Sequence, residues 1–469
     1  MTHTVLVDEA RQMEFADLSG DFNPLHVDRL QSRRSQFGAT VVHGVHLVLL
    51  ALESIVEPGY SRIVRLDARF RNAVLVGEEV DFVVSQREDG RVVSVQVASQ
   101  VRAEIFVQLV EARSNDAVRV GRPPASPSSM SAATLTLDQL STESGFEKLV
   151  IVEPLLATLF PRLQRNLSHV DLAALLASTR IVGMRCPGEW ALFRRLEWNP
   201  REVELPSDQI QYSVAAVDKR FSMVTLEMLF GRSALRAEVI LRSPPPKQPS
   251  VDSVSQWVSS EEFTGARALV VGGSRGIGEL AAKVVVAGGG HVLLTYRSGR
   301  SDAEEVQRQL GANADSTCLD VSTPSSEALS AITRFKPTHL LYFATPIIAR
   351  QVPGSWDAKL FDAFTGVYVT AFERLLHFID DLGSLRGVLF PSSVFIDERP
   401  AGFSEYIEAK LAGEALCRDW QKAHPAQRVV LDRLPALVTD QTSAKLGNST
   451  SDNIAKLMRP VRQAMTNEL

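Results

Sequence analysis

The sequence has little cysteine, only Cys186, Cys318 and Cys417 among 469 residues. These three residues are far apart and follow no metal-ligand spacing, so neither a disulfide framework nor a cysteine-based zinc site is expected. Such sparse cysteine fits a protein of a reducing compartment.

Long apolar runs and a net positive charge are also missing. No run is long enough to span a bilayer, and the first residues carry Asp8 and Glu9 instead of the apolar core of a secretory signal. The formal net charge of -5 provides no overall basic field for nucleic acid. We therefore expect a cytoplasmic protein that binds neither nucleic acid nor membranes.

What is present is the composition of a soluble globular protein, with 45% hydrophobic and 22% charged residues. The length suggests about three domains. Two proline-rich segments, Gly121–Ser129 and Arg242–Ser250, are typical of linkers. Together with the change of pattern along the chain, they predict domains over residues 1–120, 132–243 and 261–469.

The most informative stretch covers residues 19–26 and reads SGDFNPLH. It is followed by Val42-His43-Gly44 and by an apolar helical run, Val45 to Glu53. The Asn-Pro turn between Asp21 and His26 breaks any regular element, so both side chains can bend toward one water or hydroxyl.

Dehydration of a 3-hydroxyacyl thioester removes a weakly acidic C2 proton and protonates a leaving hydroxide, which requires one base and one acid. Asp21 and His26 are residue types that can supply both. The alternative interpretation is that Asp21 caps a turn and that His26 is a hydrogen-bonded core histidine.

These residues resemble the active-site signature of the MaoC-like (R)-specific enoyl-thioester hydratases, S-G-D-x-N-P-x-H followed by V-H-G. The resemblance implies a hotdog fold, catalytic roles for Asp21 and His26, and substrate contacts from Asn23 and Gly44. Alternating strands between residues 63 and 107 extend the likeness over the whole first domain.

The second region repeats the order of the first, with a helical run from Val170 to Met184 followed by strands as far as Leu241. It has no Asp-x-Asn-Pro-x-His, and its only histidine, His169, is expected at a helix start. We predict a second, divergent hotdog that covers the first as half of a pseudo-dimer. The predicted fold class is thus an α+β double hotdog followed by an α/β Rossmann-type doubly wound parallel sheet.

In the third region a short apolar strand, Ala266–Val271, leads into a glycine-rich turn, a helix and a second strand, His291–Tyr296. This order is typical of a dinucleotide-binding unit, in which glycines let the backbone approach a pyrophosphate at a helix N-terminus. The predicted cofactor contacts in the turn are Gly272, Ser274, Arg275, Gly276, Ile277 and Gly278.

Downstream, Ser393 ends an apolar strand, and Tyr406 precedes Lys410 by four residues. With the glycine turn, this set resembles the short-chain dehydrogenase/reductase family. The resemblance implies that Tyr406 transfers a proton, that Lys410 lowers the pKa of the phenol and binds the nicotinamide ribose, and that Ser393 polarises a substrate carbonyl. Alone, a Tyr-x-x-x-Lys pattern would be a solvated helix face.

The cofactor can be inferred from the end of the second strand, which carries Arg297 and Ser298 and no acid before Asp302. Arginine there, with Arg275 in the turn, suits a 2′-phosphate and favours NADP(H). By resemblance, further cofactor contacts are expected from Asp320, Val321, Ala344, Tyr406 and Lys410.

The chain departs from the family in two respects. No asparagine occurs between Asn313 and Asn448, so the usual catalytic asparagine is absent. The sequence after Asp440 also lacks the family's closing glycine-rich strand. The first departure concerns the water-linked proton relay, and the second concerns the substrate lid and the usual tetramer contacts.

The combined pattern predicts a bifunctional enzyme that reduces a 3-oxoacyl thioester with NADPH and dehydrates the (3R)-hydroxyacyl product to a trans-2-enoyl thioester, or the reverse. The pairing resembles multifunctional enzymes of fatty-acid oxidation, with the domain order inverted. The alternatives are a hydratase with a degenerate nucleotide-binding domain, and a non-catalytic acyl-thioester binding module. The expected substrates are acyl-CoA or acyl-acyl-carrier-protein, no metal is expected, and a homodimer is possible on this pattern.

Overall fold

The computed structural model describes residues 2–112, 119–121, 131–348, 356–442 and 449–466. The chain divides into two compact units, Met1–Pro244 and Pro245–Leu469, and the division falls within the second proline-rich segment. Apart from Gly121, the first predicted linker lies outside the described residues. None of the described helices is long and apolar enough to cross a membrane.

The strands of the N-terminal unit are β1 Thr2–Leu6, β2 Ser61–Phe70, β3 Glu79–Arg87, β4 Gly90–Val97, β5 Gln100–Glu111, β6 Arg119–Val120, β7 Ser144–Lys148, β8 Val150–Ile151, β9 Ala191–Pro200, β10 Gln209–Asp218, β11 Met223–Phe230 and β12 Ser233–Leu241. Its helices are α1 Glu9–Ser19, α2 Pro24–Val27, α3 Arg29–Ser32, α4 Gly44–Ile55, α5 Leu137–Leu140, α6 Glu153–Leu159, α7 Pro161–Asn166 and α8 His169–Arg180. A π-helical turn, Ile181–Arg185, follows α8.

Ten of these strands form one antiparallel sheet in the order β1-β3-β4-β5-β2-β9-β12-β11-β10-β7. From each edge inward the two halves have the same connectivity, because β7-β10-β11-β12-β9 repeats β1-β3-β4-β5-β2. In each half a long helix, α4 or α8, precedes the last four strands. The halves meet where β2 pairs with β9, with Ala68 opposite Leu196.

Helices α4 and α8 form the centre of the core. Helix α4 is apolar on nearly all sides and is buried along most of its length, as expected for a helix covered by both a sheet and a neighbour. Helix α8 carries Ala173, Ala174 and Ala177, whose small side chains permit close packing, and one continuous apolar cluster includes both helices. Helix α8 begins at His169 with Ser168 as its N-cap, which confirms the predicted helix start.

The strands of the C-terminal unit are β13 Arg267–Val271, β14 His291–Tyr296, β15 Ala314–Cys318, β16 His339–Tyr342, β17 Gly387–Ser393 and β18 Arg428–Leu434. Its helices are α9 Val251–Ser255, α10 Gly276–Ala287, α11 Arg300–Leu310, α12 Ser326–Phe335, α13 Ala358–Thr365, α14 Phe372–Asp380, α15 Phe395–Glu398, α16 Ser404–Ala423 and α17 Ser451–Met465. A π-helical turn, Gly366–Ala371, joins α13 to α14.

All strand pairs of this unit are parallel, in the order β15-β14-β13-β16-β17-β18. The order reverses between β13 and β16, and ligands of such doubly wound sheets bind at the carboxyl ends of the strands beside that reversal. This Rossmann-type topology agrees with the predicted sheet. Strand β18 lies at the sheet edge and is followed among the described residues by α17, not by a further strand.

Candidate active sites

The loop that carries Asp21 is shaped by the end of α1. Gly20 adopts a left-handed conformation with φ 74° and ends the helix. The Asn23 side chain then caps α2, because its Oδ1 accepts a hydrogen bond from the backbone N–H of Leu25. The backbone N–H of Asn23 donates to Asp21 Oδ1 at 3.1 Å. Asp21 and Asn23 are 2% and 1% exposed. Local hydrogen bonds therefore fix the carboxylate inside the fold.

His26 lies on α2, half-buried, and its ring stacks on His43 with 3.9 Å between ring centroids. Its Nδ1 donates to the Val41 carbonyl at 2.7 Å, which leaves Nε2 as the nitrogen that can exchange a proton with a substrate. Burial, and secondarily the neighbouring His43, lowers the pKa of His26 to about 3. His26 is therefore neutral near pH 7.

His43 is held by hydrogen bonds at both ring nitrogens. Gln12 Nε2 donates to His43 Nδ1 at 3.0 Å and also to the Val41 carbonyl. His43 Nε2 in turn donates to the backbone oxygen of Asp21 at 3.0 Å. Side-chain ligand atoms of Asp21, His26 and His43 lie within 4.8 Å of one another, but both nitrogens of His43 are already engaged, so this cluster is a poor metal site.

The carboxyl group of Asp21 has a raised pKa because it is buried. His26, a hydrogen bond from Thr179 and the Asn23 amide oppose the effect of burial. The environment thus raises the pKa of the acid and lowers the pKa of the adjacent histidine. Such opposed shifts favour proton exchange between a substrate and the pair.

The start of α4 adds a donor group to this site. His43 is the N-cap of α4 but makes no side-chain cap hydrogen bond, so the first amides, beginning with Gly44, are available to an oxygen acceptor. A Cβ at Gly44 would lie 3.1 Å from the Phe70 ring, which explains the small residue. A cavity of about 90 Å³ opens beside His26, and its lining residues include Gln12, Met13, Val27, Thr40 and Val76.

The second half of the unit places on Asp21 two residues that no acid-base motif in the sequence indicates. Thr179 and Gly183, at the end of α8 and in the π-helical turn after it, both contact the carboxylate. They lie about 160 residues from it in the sequence, outside the motif that contains Asp21 and His26. Only the pairing of the two halves brings them to the site.

In the C-terminal unit, the glycine turn adopts the backbone conformations that the motif predicts. Gly272 and Gly276 have φ of 77° and 61°, which favour glycine. A Cβ at Gly278 would lie 2.3 Å from the Gly272 carbonyl oxygen, so α10 packs directly against the turn. Arg275 is the N-cap residue of α10, and its side chain makes no cap hydrogen bond to the helix, so the first amides of α10 are available for an anion.

The other predicted cofactor residues lie at the carboxyl ends of neighbouring strands. A Cβ at Gly272 would be 3.1 Å from the Ala344 amide, so the glycine turn and the end of β16 are in contact. Arg297 and Ser298 follow β14 and are exposed, while Asp320 and Val321 follow β15. The Asp320 carboxylate accepts a hydrogen bond from the Ser322 amide at 2.9 Å.

The side chains of two further predicted cofactor contacts, Arg275 and Ile277, already have partners within the protein. Arg275 is paired with Asp440, with 2.7 Å between Nη1 and Oδ2, so its guanidinium already has an acidic partner. Ile277 is the second residue of α10, and its side chain packs against the apolar core of the unit.

Ser393, Tyr406 and Lys410 come together where β17 ends beside α16. A hydrogen bond from Ser393 partly offsets the burial that raises the pKa of Tyr406. Lys410 Nζ donates to the Pro391 carbonyl at 2.7 Å. Burial lowers the pKa of Lys410 to about 7, and Cys417 and Glu414 act in the opposite direction.

Lys410 lies against two aromatic rings. Lys410 Nζ lies 4.0 Å from the centroid of Tyr368 and 4.7 Å from that of Phe390. The Tyr368 hydroxyl is 2.5 Å from Thr345 Oγ1. Tyr368 lies in the π-helical turn between α13 and α14 and is fully buried. Its ring therefore holds the ammonium group of Lys410 in place through a cation–π contact.

Solved structures similar to part of this chain include short-chain dehydrogenases. One from Burkholderia cenocepacia J2315, in complex with NADP, is 23% identical, covers 44% of this chain and 94% of its own length, and has a TM-score of 0.37. One from Salmonella enterica serovar Typhi CT18 is 19% identical, covers 45% and 93%, and has a TM-score of 0.39. Because these TM-scores are low, the fold of the C-terminal unit is assigned from the strand order of its sheet and not from these structures.

Comparison with curated proteins gives no significant match. The family model described as MaoC like domain matches residues 1–105. This segment contains the Asp21–His26 pair and the start of α4, and it agrees with the resemblance carried by the motif. The likeness to MaoC-like domains is thus carried by residues 1–105 of this chain.

Proposed function

We propose that this chain is a bifunctional acyl-thioester enzyme. Its N-terminal unit interconverts (3R)-hydroxyacyl and trans-2-enoyl thioesters, and its C-terminal unit reduces a 3-oxoacyl thioester to the (3R)-hydroxyacyl thioester with NADPH. The observation that carries the proposal is the buried Asp21 beside the half-buried His26, with opposed pKa shifts, in a segment that matches a MaoC-like domain.

In the hydratase reaction, Asp21 and the free Nε2 of His26 share the work of acid and base on a water or hydroxyl held between them. The first amides of α4, including Gly44, receive the thioester oxygen as negative charge develops on it. Asn23 keeps the loop in place through hydrogen bonds to the carbonyls of Gly183 and Gly188.

The repeated strand order supports a double hotdog in which residues 132–243 are the second, divergent copy. That copy has α8 in the place of α4 but no acid-base pair, so the unit has one hydratase site. The internal repeat supplies the cover that a single hotdog obtains from a partner subunit.

In the reductase reaction, Tyr406 gives its proton to the developing alkoxide while Ser393 donates a hydrogen bond to the same oxygen. The charged form of Lys410 stabilises the tyrosinate that remains. NADPH supplies the hydride when bound. The close approach of Gly278 to Gly272, and the uncapped amides of α10, fit the diphosphate of such a dinucleotide.

The preference for NADPH rests on Arg297, which is exposed at the end of β14 where an acid would favour NADH. Arg275 would have to exchange its ion pair with Asp440 for a 2′-phosphate. For that reason we assign the larger share of the discrimination to Arg297.

One experiment tests both halves of the proposal. Purified full-length protein is assayed for hydration of crotonyl-CoA, and for oxidation of NADPH and NADH with acetoacetyl thioesters of coenzyme A and acyl carrier protein. Asp21→Asn should lower hydration by at least about a hundredfold and leave NADPH oxidation unchanged. Tyr406→Phe should show the reverse pattern, so each variant is the control for the other.

A second candidate function is a hydratase whose C-terminal unit only binds the nucleotide. The absence of the asparagine and the Arg275–Asp440 pair favour it. It predicts NADPH binding with no oxidation above the level of Tyr406→Phe. Wild-type protein that hydrates crotonyl-CoA but does not oxidise NADPH would establish this reduced function.

A further inference from the structure

The carboxylate of Asp21 is held by a residue from the other half of the N-terminal unit. Thr179, one residue before the end of α8, donates from Oγ1 to Asp21 Oδ2 at 2.6 Å. The threonine is 1% exposed and the aspartate is 2% exposed. A short hydrogen bond to a carboxylate inside the fold is among the stronger interactions that a hydroxyl makes.

The turn after α8 packs on the same carboxylate. A Cβ at Gly183 would lie 2.2 Å from Asp21 Oδ1 and 2.6 Å from Oδ2, so only a glycine fits there. Arg180 Nη1 donates to the Ser19 carbonyl at 2.7 Å, and Asn23 Nδ2 donates to the Gly183 carbonyl at 2.9 Å. Residues of the second half therefore form hydrogen bonds with the loop on both sides of Asp21, at Ser19 and at Asn23.

We propose that Thr179 is a positioning residue of the hydratase site, whose hydroxyl fixes the orientation of the Asp21 carboxylate beside His26. This inference rests on the proposed hydratase function. The second half thus contributes to the reaction although it has no acid-base pair of its own.

None of the charged and titratable groups that face Asp21 makes a hydrogen bond to its carboxylate in place of the one from Thr179. His26 faces it from α2, His43 from the segment before α4, and Arg180 from α8. His43 Nε2 is 3.7 Å from Oδ2 and donates to the backbone oxygen of Asp21 instead. Arg180 donates to Ser19.

A hydroxyl that donates to a carboxylate stabilises its ionised form, so removal of the hydroxyl raises the pKa of Asp21 further. The limb of the pH profile that reports Asp21 then moves to higher pH, whether the reaction uses the ionised or the protonated form. A purely structural role for Thr179 would not move that limb.

The test compares hydration of crotonyl-CoA by full-length wild type, Thr179→Val and Thr179→Ser over a range of pH. Valine keeps the shape of threonine without the hydroxyl, whereas serine keeps the hydroxyl. We expect Thr179→Val to lower kcat by about tenfold or more with little change in KM, and to shift the limb to higher pH. Thr179→Ser should restore most of the rate and the wild-type profile.

A wild-type kcat and pH profile in Thr179→Val would overturn the inference and leave the proposed function intact. Absence of hydration in the wild type would instead reject the proposed function itself. If circular dichroism shows that Thr179→Val does not fold, Thr179→Ala takes its place, because alanine has a smaller side chain and also lacks the hydroxyl. Its kcat and pH profile are then compared with those of the wild type.

Discussion

At the scale of single residues, the two sites depend on side chains whose proton affinities are altered by burial. Asp21 is buried beside His26 and their pKa values are shifted in opposite directions. Lys410 lies among aromatic rings with one carbonyl acceptor. Because burial disfavours charge, each of these groups has a folded-state proton affinity that differs from that of the unfolded chain.

Lys410 offers a direct test of this effect on stability. Burial lowers its pKa from 10.5 to about 7, so between these pH values the unfolded chain binds more protons than the folded protein. The destabilisation is fully present below about pH 7 and is lost as the pH rises toward 10.5. Lys410→Met should therefore have a larger free energy of unfolding than the wild type at pH 7. The difference should decrease by up to about 1.4 kcal/mol for each pH unit between pH 7 and pH ~9.

Urea unfolding of both proteins at the two pH values measures this difference. Lys422→Met is the matched control, since Lys422 lies on the same helix with its side chain 77% exposed. Because this side chain is exposed, Lys422→Met should change the free energy of unfolding by no more than about 0.5 kcal/mol. An effect of Lys410→Met that is equal at both pH values would mean that the lysine is solvated.

At the scale of elements, the chemistry is placed at the ends of helices. Helices α4 and α10 each begin without a side-chain cap, so their first amides remain available for the proposed substrate oxygen and cofactor phosphates. Two other helices, α8 and α13, continue into π-helical turns that carry Gly183 and Tyr368 to the sites. Such turns are a common way to direct a residue out of helical register.

The start of α10 is tested by Gly278→Ala. The added Cβ would lie 2.3 Å from the Gly272 carbonyl oxygen, a backbone atom that cannot move without displacing the turn. We expect NADPH affinity, measured by fluorescence titration, to fall by at least about tenfold. Hydration of crotonyl-CoA should be unchanged.

The control for this variant is Gly366→Ala, because a Cβ at that position would meet no heavy atom within 4 Å other than those of its chain neighbours and of its own helical backbone. It should bind NADPH as tightly as the wild type. Unchanged affinity in Gly278→Ala would show that the dinucleotide does not use this helix start.

At the scale of the whole molecule, the two proposed activities share one intermediate, the (3R)-hydroxyacyl thioester. Wild type given acetoacetyl-CoA and NADPH should therefore form both 3-hydroxybutyryl-CoA and crotonyl-CoA. Asp21→Asn should accumulate only the hydroxy product, since the reductase step does not require that carboxylate. Chromatography of the thioesters measures both species.

Tyr406→Phe is the complementary control in this reaction, and it should form neither product from acetoacetyl-CoA. Supplied with 3-hydroxybutyryl-CoA, however, it should still form crotonyl-CoA. Crotonyl-CoA made by Asp21→Asn at the wild-type rate would contradict the assignment of the hydratase site.

Much of both sites follows from contiguous sequence. Residues 19–26, the start of α4 and the glycine turn before α10 are local motifs, because a helix cap or a tight turn requires specific residues within a few positions. The strands and central helices were equally visible in their periodicity, and the strand order of the C-terminal unit agrees with the expectation from its motif.

Only the tertiary structure decided which distant residues complete these sites. Thr179 reaches Asp21 because β2 pairs with β9 and the two central helices pack together. Tyr368 and Asp440 reach Lys410 and Arg275 in the same way, through the packing of elements around the sheet. A hydrogen bond between residues far apart in the chain leaves no periodic trace, since it depends on the three-dimensional packing of whole elements and not on local backbone preference.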